Sequence, residues 1–396
     1  MKFIRDSLYG NIEFDGVFLE LLEAPELQRL HGIKQLGFTY LVYPGANHTR
    51  LEHSLGACYI ARKICRKLGL DDEVVGVAAL LHDIGHSPFS HTLEYLMHQK
   101  MKKNHVEMAK EMLSGKILLN DYEYDKSLKE ILNDYGINYR DVIDLIEGRK
   151  GYHSEIIHGS LDADQIDYLM RDAYYTGVAY GIIDSDRLIQ TMKVYDNNIV
   201  FERKGISALE SMLVARALMY SSVYLHKTVR IAELMLVKAV ERCDFDFSML
   251  TDGELIEKLK RAGSYQREIA IRLKYRKLFK KVFAKSLEEL NEDEKEAIAN
   301  IKDTREIERE IAEKSGMEEG YIIVDVPGKD ILLSEPRIRR VNIKVLDKNE
   351  IKPLSYYSPI ANALEVRGIT EWAIMVCCPE KNREKVKKCA EKVIFE

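Results

Sequence analysis

Between residues 50 and 69 the apolar positions fall at Leu51, Leu55, Cys58, Ile60, Ile64, Cys65 and Leu68, near the spacing of one helical face. Gly69 follows as a C-cap. The next stretch, "DDEVVGVAALLHDIGH", opens on Asp71 and Asp72, which suit a helix N-terminus, and then turns apolar on nearly every side. That pattern predicts a central buried helix. "NHVEMAKEML", "SLKEILNDYG" and "YRDVIDLIEG" carry the same helical period. So does "ALESMLVARALMYSSVYLHKTVRIAELMLVKAVERC", with an interruption expected near Ser221-Ser222. "KVYD" and "NNIVFE" (197–202) read as a hairpin turning across Asp196–Asn198. From about 250 to 315 the chain is charged and helical, and this reading includes "SYQREIAIRLKYRKLFKKVF". After Gly316 the pattern changes to alternation: "GYIIVDVPG", "RRVNIKVLD" and "WAIMVCCPE" are predicted strands, closed by a helix at "REKVKKCAEKVIF". The expected fold is mainly α, a helical bundle over 1–245, a charged helical extension over 246–315 and a small α+β module over 316–396.

Composition narrows the function classes. Of 396 residues, 46% are hydrophobic and 31% charged, which is the balance of a soluble globular protein. The net charge of -5 argues against nucleic-acid binding as the main role. The basic run "RKLFKKVFAK" (276–285) is the one local hint of it, and it reads more simply as a solvated helix face. No apolar run is long enough to span a bilayer, and the N-terminus lacks the apolar core of a signal peptide, so a cytoplasmic location is expected. Cys58, Cys65, Cys243, Cys377, Cys378 and Cys389 form no CxxC pair, so they are expected to be reduced and structural.

Histidine is what stands out. Seven of the 11 histidines lie between positions 48 and 105, and "LLHDIGHSPFSH" (80–91) sets His82, Asp83, His86 and His91 against apolar neighbours. Histidine and carboxylate together suit a divalent ion such as Zn, Mn, Fe, Ni, Co or Mg, and the absence of thiolates favours an open catalytic site. Adjacent helix residues point about 100° apart, so His82 and Asp83 can share one ion only where a helix ends. Gly85 and Pro88 supply that end. Further on, Asp164, Asp167, Tyr168 and Arg171 share a helical face that mixes acid, phenol and guanidinium, as a polar pocket would. Arg216, Tyr220, Tyr224 and Lys227 form another stripe, and Arg50 stands one turn before His53.

"APELQRLHGIKQLG", "YPGANHTRLEHSLG", "LLHDIGHSPFSH", "SLDADQIDYLMRD" and "YLHKTVRIAE" resemble the HD-domain phosphohydrolases over about residues 5–245, with the metal core over about 30–230. They are most similar to the branch that hydrolyses deoxynucleoside triphosphates, which includes vertebrate members carrying SAM and HD domains. The resemblance implies metal ligands at His53, His82, Asp83 and Asp164. It implies a catalytic His105 paired with Glu94, and substrate contacts from Gln35, Arg50, His86, His91, Tyr168, Asp172, Arg216 and Tyr224. Glu94 stands where the related enzymes usually carry aspartate. The expected reaction converts a deoxynucleoside triphosphate to deoxynucleoside and triphosphate. Two rival readings share the same residues: a phosphomonoesterase or phosphodiesterase acting on a nucleoside monophosphate, (p)ppGpp or a cyclic nucleotide, and a nucleotide-binding sensor with little catalysis.

The chain also departs from that branch. Gln165 stands where a phosphate-binding lysine is expected, and Leu225 where an amide approaches the base. The stretch matching a nucleotide effector site retains Gln28 but carries Glu23 for aspartate and His31 for a guanine-contacting arginine. A homodimer or homotetramer is what the resemblance implies.

Overall fold

A computed structural model describes residues 1–119, 126–327, 342–366 and 372–395. They form two compact units, each assembled from separate stretches of chain. The first comprises Met1–Tyr220, Asp246–Gly253 and 342–366; the second comprises Ser221–Phe245, 254–327 and 372–395.

The first unit is helical at its centre. The Arg50–Leu68 helix starts from a capping box, in which Thr49 and Glu52 each satisfy a backbone N–H of the other. It ends on Gly69 in the left-handed region, φ +71°, where a side chain would be strained. Its neighbour, Glu73–Leu81, is buried from Val75 to Leu81, as its all-round apolar pattern predicts. The Ala163–Thr176 helix begins where Asp162 accepts the Gln165 amide at 2.9 Å. A four-stranded sheet in the order β3-β4-β7-β8 combines the predicted hairpin, β3 (Met192–Tyr195) and β4 (Asn198–Glu202), with β7 (Lys344–Asp347) and β8 (Glu350–Pro353). β4 and β7 run parallel, with Phe201 opposite Val345.

In the second unit the Lys227–Glu241 helix accompanies a sheet in the order β5-β9-β6, made of β5 (Lys280–Lys285), β9 (Ile374–Cys378) and β6 (Ile323–Asp325). The Thr304–Ser315 and Arg383–Phe395 helices close on it over Ile311, Ile322, Val324, Ile374, Val376, Val386 and Ala390, all buried. Inside, Lys238 meets Glu308 at 2.6 Å, and the Trp372 indole donates to Asp325 at 3.0 Å. Lone buried charges would be costly, and these are paired.

The architecture is mainly α with a small α+β portion toward the C-terminus. The long helical run is broken at the expected place: Ile206–Met219 passes into a π-turn at Tyr220–Tyr224 before Lys227–Glu241. The five described buried cysteines and the half-buried Cys389 are free thiols. Among the described residues, no helix is long and apolar enough to cross a membrane.

Two local readings need correction. "RKLFKKVFAK" is not helical throughout. The Ser264–Lys274 helix stops, Arg276 takes φ +54°, and Lys280–Lys285 pairs antiparallel with β9 as a strand. Val282 enters the core while Lys280 and Lys281 stay exposed, so tertiary pairing overrides local helix preference. The N-terminal hairpin, β1 (Lys2–Asp6) with β2 (Gly10–Phe14), was absent from the periodic reading. Its strands are only five residues each, and although Ile12 and Phe14 alternate with exposed Asn11 and Glu13, so short a run gives a weak periodic signal.

Candidate active site

Local structure explains how the histidines converge. The cap at Thr49 places Arg50 and His53 on the first turn of their helix. The Glu73–Leu81 helix ends at His82, and the turn beyond it is held from outside. Arg29 donates to the carbonyls of Ile84 and His86, both at 2.7 Å. Asp252 accepts the amides of Phe89 at 2.7 Å and Lys34 at 3.0 Å. Phe89 and Ser90 sit at φ +53° and +51°, a strained arrangement for non-glycine residues that these braces maintain. At Gly85 the backbone comes so close to the neighbouring helix that a Cβ would lie 2.0 Å from the His105 carbonyl oxygen. This approach brings the turn against the start of the His105–Leu113 helix.

His53 and His82 present matched nitrogens. His82 Nδ1 lies 2.7 Å from the Ala79 carbonyl, which only accepts, so Nδ1 carries the proton and Nε2 offers a lone pair. His53 Nδ1 lies 2.8 Å from Asp167 and is polarised in the same way. His53 Nε2 is then 3.1 Å from Asp164 and 3.8 Å from Asp83, while His82 Nε2 is 3.3 Å from Asp83 and 3.8 Å from Asp164. His82 Nε2 is buried with no hydrogen-bond partner among the described residues. An orphaned buried nitrogen aimed at two carboxylates fits a cation ligand. Ligand atoms of His53, His82 and Asp164 all lie within 4.8 Å of one another, as one ion requires.

The charge balance agrees. Burial alone would raise the Asp83 and Asp164 carboxyls, but both are held well below the usual range: Asp83 by Arg50, His82 and His86, and Asp164 by His53 and His82 beside it. Burial disfavours a charged His53, yet Asp164 and Asp167 lift it to about 10. The pocket thus demands positive charge, which protons or a metal can supply.

A second cluster adjoins the first. The His86 and His105 rings stack with centroids 4.2 Å apart, and His91 stands edge-on to His86 at 5.1 Å. Glu94 joins them, one oxygen on His105 Nδ1 and the other 3.1 Å from His91 Nδ1. Burial would raise Glu94, but His105 and His91 drive it strongly down, so it is ionised. Burial, Arg50 and His105 push His86 well below the ordinary histidine range, which leaves it neutral. Arg50 links the clusters: it contacts Asp83 through Nη1 and Ser90 through Nε at 2.6 Å, and its Nη2 is buried without a partner among the described residues.

The remaining expected residues divide. Arg216 reaches Gln165 at 3.3 Å, and both line a cleft of about 300 Å³ with His158 and Lys344. Gln35 Oε1 is buried and unpartnered among the described residues. Asp172 lies 2.7 Å from His48. Tyr168 is half-buried on the Ala163–Thr176 helix. Tyr224 ends the π-turn and belongs to the second unit. Glu23, Gln28 and His31 are exposed around a short helical segment, and the Gln28 amide donates to the Leu22 carbonyl. Sequence reasoning missed Arg29, Asp252 and His48 as supports of the site, because their partners are remote in the chain. It placed Asp167 and Arg171 on a polar face without assigning them a task.

Two imidazoles and two carboxylates converging beside a guanidinium define a class of site, one that can hold a divalent cation next to an anion. Comparison with known proteins agrees. The HD domain model matches residues 50–172, and the HD associated region model matches residues 183–395. An uncharacterized protein of Methanocaldococcus jannaschii, MJ1154, is 36% identical over 99% of this chain and 81% of its own length. The deoxynucleoside triphosphate triphosphohydrolase SAMHD1 of Homo sapiens is 27% identical over 98% of this chain and 70% of its own. A crystal structure of a hypothetical protein from Aquifex aeolicus superposes with a TM-score of 0.76 at 31% identity, over 98% of this chain and 99% of that one. The chain belongs to the HD-domain phosphohydrolases, built as an HD domain followed by an HD-associated region.

Proposed function

We propose that this protein hydrolyses deoxynucleoside triphosphates to deoxynucleoside and triphosphate with a divalent metal held by His53, His82, Asp83 and Asp164. The observation that carries the metal reading is the unpartnered, buried His82 Nε2 among two carboxylates and His53. Such an ion, when bound, supplies Lewis-acid activation of water and of a phosphoryl oxygen.

The chain's own residues supply the rest. Arg50 Nη2, buried and uncommitted beside Asp83, neutralises phosphate charge. His86 and His91 bind the phosphate chain, with His91 fixed by Glu94. Glu94 holds His105 Nδ1, so the opposite edge of the ring faces outward as the proton donor to the leaving oxygen. Arg216 adds a cation on the side of Gln165. The kinship with SAMHD1 supports a triphosphate substrate.

The test incubates the protein with dNTPs, NTPs and dNMPs in Mg, Mn, Co or Ni, with and without GTP or dATP, and separates products by chromatography. Intact triphosphate released from a dNTP is the expected result. Orthophosphate or pyrophosphate alone would refute it in favour of monoesterase or diesterase chemistry. The same panel reads whether a nucleotide effector at Glu23, Gln28 and His31 is required, and mass measurement tests the expected homodimer or homotetramer.

A further inference from the structure

We infer that the N-terminal hairpin is part of the metal centre: Tyr9 and Asp6, working through Asp167 and Arg171, hold His53 in the one ring orientation and tautomer that can ligate. This rests on the metal reading above and extends it to residues that touch neither metal nor substrate.

Asp167 is the junction. Its Oδ2 takes the His53 Nδ1 proton at 2.8 Å and the Arg171 Nε–H at 2.9 Å. Its Oδ1 takes the Tyr9 hydroxyl at 2.8 Å and Arg171 Nη2 at 2.9 Å. Arg171 then spends Nη1 on Asp6 Oδ2 at 2.9 Å. Asp6 in turn folds the hairpin's turn, its Oδ1 accepting the amides of Leu8 at 2.8 Å and Tyr9 at 3.0 Å. Gly10, at φ +75°, completes the reversal. Asp167 and Arg171 are fully buried and Asp6 nearly so. Each of the three guanidinium nitrogens of Arg171 donates to a carboxylate, so removing one member leaves a buried charge without its partner.

The surroundings are shaped for this network. Gly56, one turn after His53, leaves the space it needs: a Cβ there would lie 1.9 Å from Asp167 Oδ1 and 2.3 Å from Arg171 Nη2. The Tyr9 ring stacks on Tyr59, another residue of the His53 helix, at 4.7 Å. The hairpin therefore grips the helix by an apolar face and reaches past it with a hydroxyl. A carboxylate on the far nitrogen of a ligating imidazole fixes its tautomer and raises its basicity, and losing such a partner typically weakens metal affinity about 10–100-fold. Here that carboxylate is itself oriented by a phenol and a guanidinium from outside the His53 helix. The motif "DSLYG" (6–10) is thus the sequence trace of a positioning device.

The test measures Co²⁺ binding to the full chain by competition with a chelator, together with the visible spectrum of bound Co²⁺ and the thermal midpoint of the metal-free protein. Tyr9→Phe keeps the stacking on Tyr59 and removes only the hydroxyl. It is expected to weaken Co²⁺ severalfold and alter the spectrum, while the metal-free midpoint barely moves. Asp167→Asn is expected to weaken Co²⁺ about 10–100-fold. Arg171→Gln guards against an Asp167→Asn variant that misfolds, and an intermediate loss is expected of it. Unchanged affinity and spectrum in Tyr9→Phe and Asp167→Asn, with one Co²⁺ bound by the wild type, overturns the inference alone. A wild type that binds no Co²⁺ overturns the metal reading and the inference with it.

Discussion

Two groups of histidines lie side by side in this protein and are wired in opposite ways. In the first, His53 and His82 commit their Nδ1 protons outward, to Asp167 and to the Ala79 carbonyl, and turn their Nε2 atoms toward Asp83 and Asp164. In the second, His91 and His105 commit Nδ1 to Glu94, and His105 stacks on a neutral His86. Both groups use the same residue type, and both fix a tautomer. What differs is the partner left for the second nitrogen. Facing carboxylates in a buried pocket, it is placed where a cation could be held. On the half-exposed side of the cluster, it can exchange a proton with a substrate oxygen. Imidazole chemistry here is set by the group behind the ring.

The sharpest way to break the comparison is to remove a member of the first group. Asp83→Ala or His53→Ala is expected to abolish both metal binding and turnover, read by elemental analysis and product release. A full metal complement in either variant would count against its place among the ligands. In the second group, His105→Ala is expected to lower turnover about 10²–10⁴-fold with the metal retained. Loss of metal in that variant would refute the division between the clusters. Gly85→Ala presses a methyl against the His105 backbone, and such overpacking typically costs about 1–3 kcal/mol. The predicted signature is a lower thermal midpoint and impaired turnover together, because the close approach joins the two clusters.

Arg216→Ala is expected to raise KM more than it lowers kcat, since Arg216 lines the cleft beside Gln165 rather than the ligand set. The smallest effect concerns pH. Burial pushes the Asp252 carboxyl up to about 6, so this group favours the folded state below the ordinary carboxylate range and loses that contribution as pH rises through about 6. Asp252→Asn is expected to remove that part of the dependence. Comparing the two thermal midpoints from pH 7.5 down to pH 5, the wild type should gain on the variant as the solution is acidified.

Much of the site could be read from the chain because its donors are local. His82, Asp83, His86 and His91 fall within ten residues at a helix end, and Gly85 and Pro88 announce the turn. The helical faces carrying His53 and Asp164 obey a period visible in one dimension. The apolar helix at Val75–Leu81 and the break at Ser221-Ser222 were legible for the same reason. The parts that escaped depend on partners far along the chain. Arg29 braces a turn 55 residues away, and Asp252 braces Phe89 across 163. β5 becomes a strand because β9 is there to receive it.

By itself, then, the sequence determined which residues could ligate and which helices would carry them, because short-range periodicity and turn chemistry act between near neighbours. Only the tertiary structure decided what each imidazole would do. The proton on a ring nitrogen goes to whatever acceptor the fold places behind it: Asp167, itself gripped by Tyr9 and Arg171, for His53; the Ala79 carbonyl for His82; and Glu94 for His105.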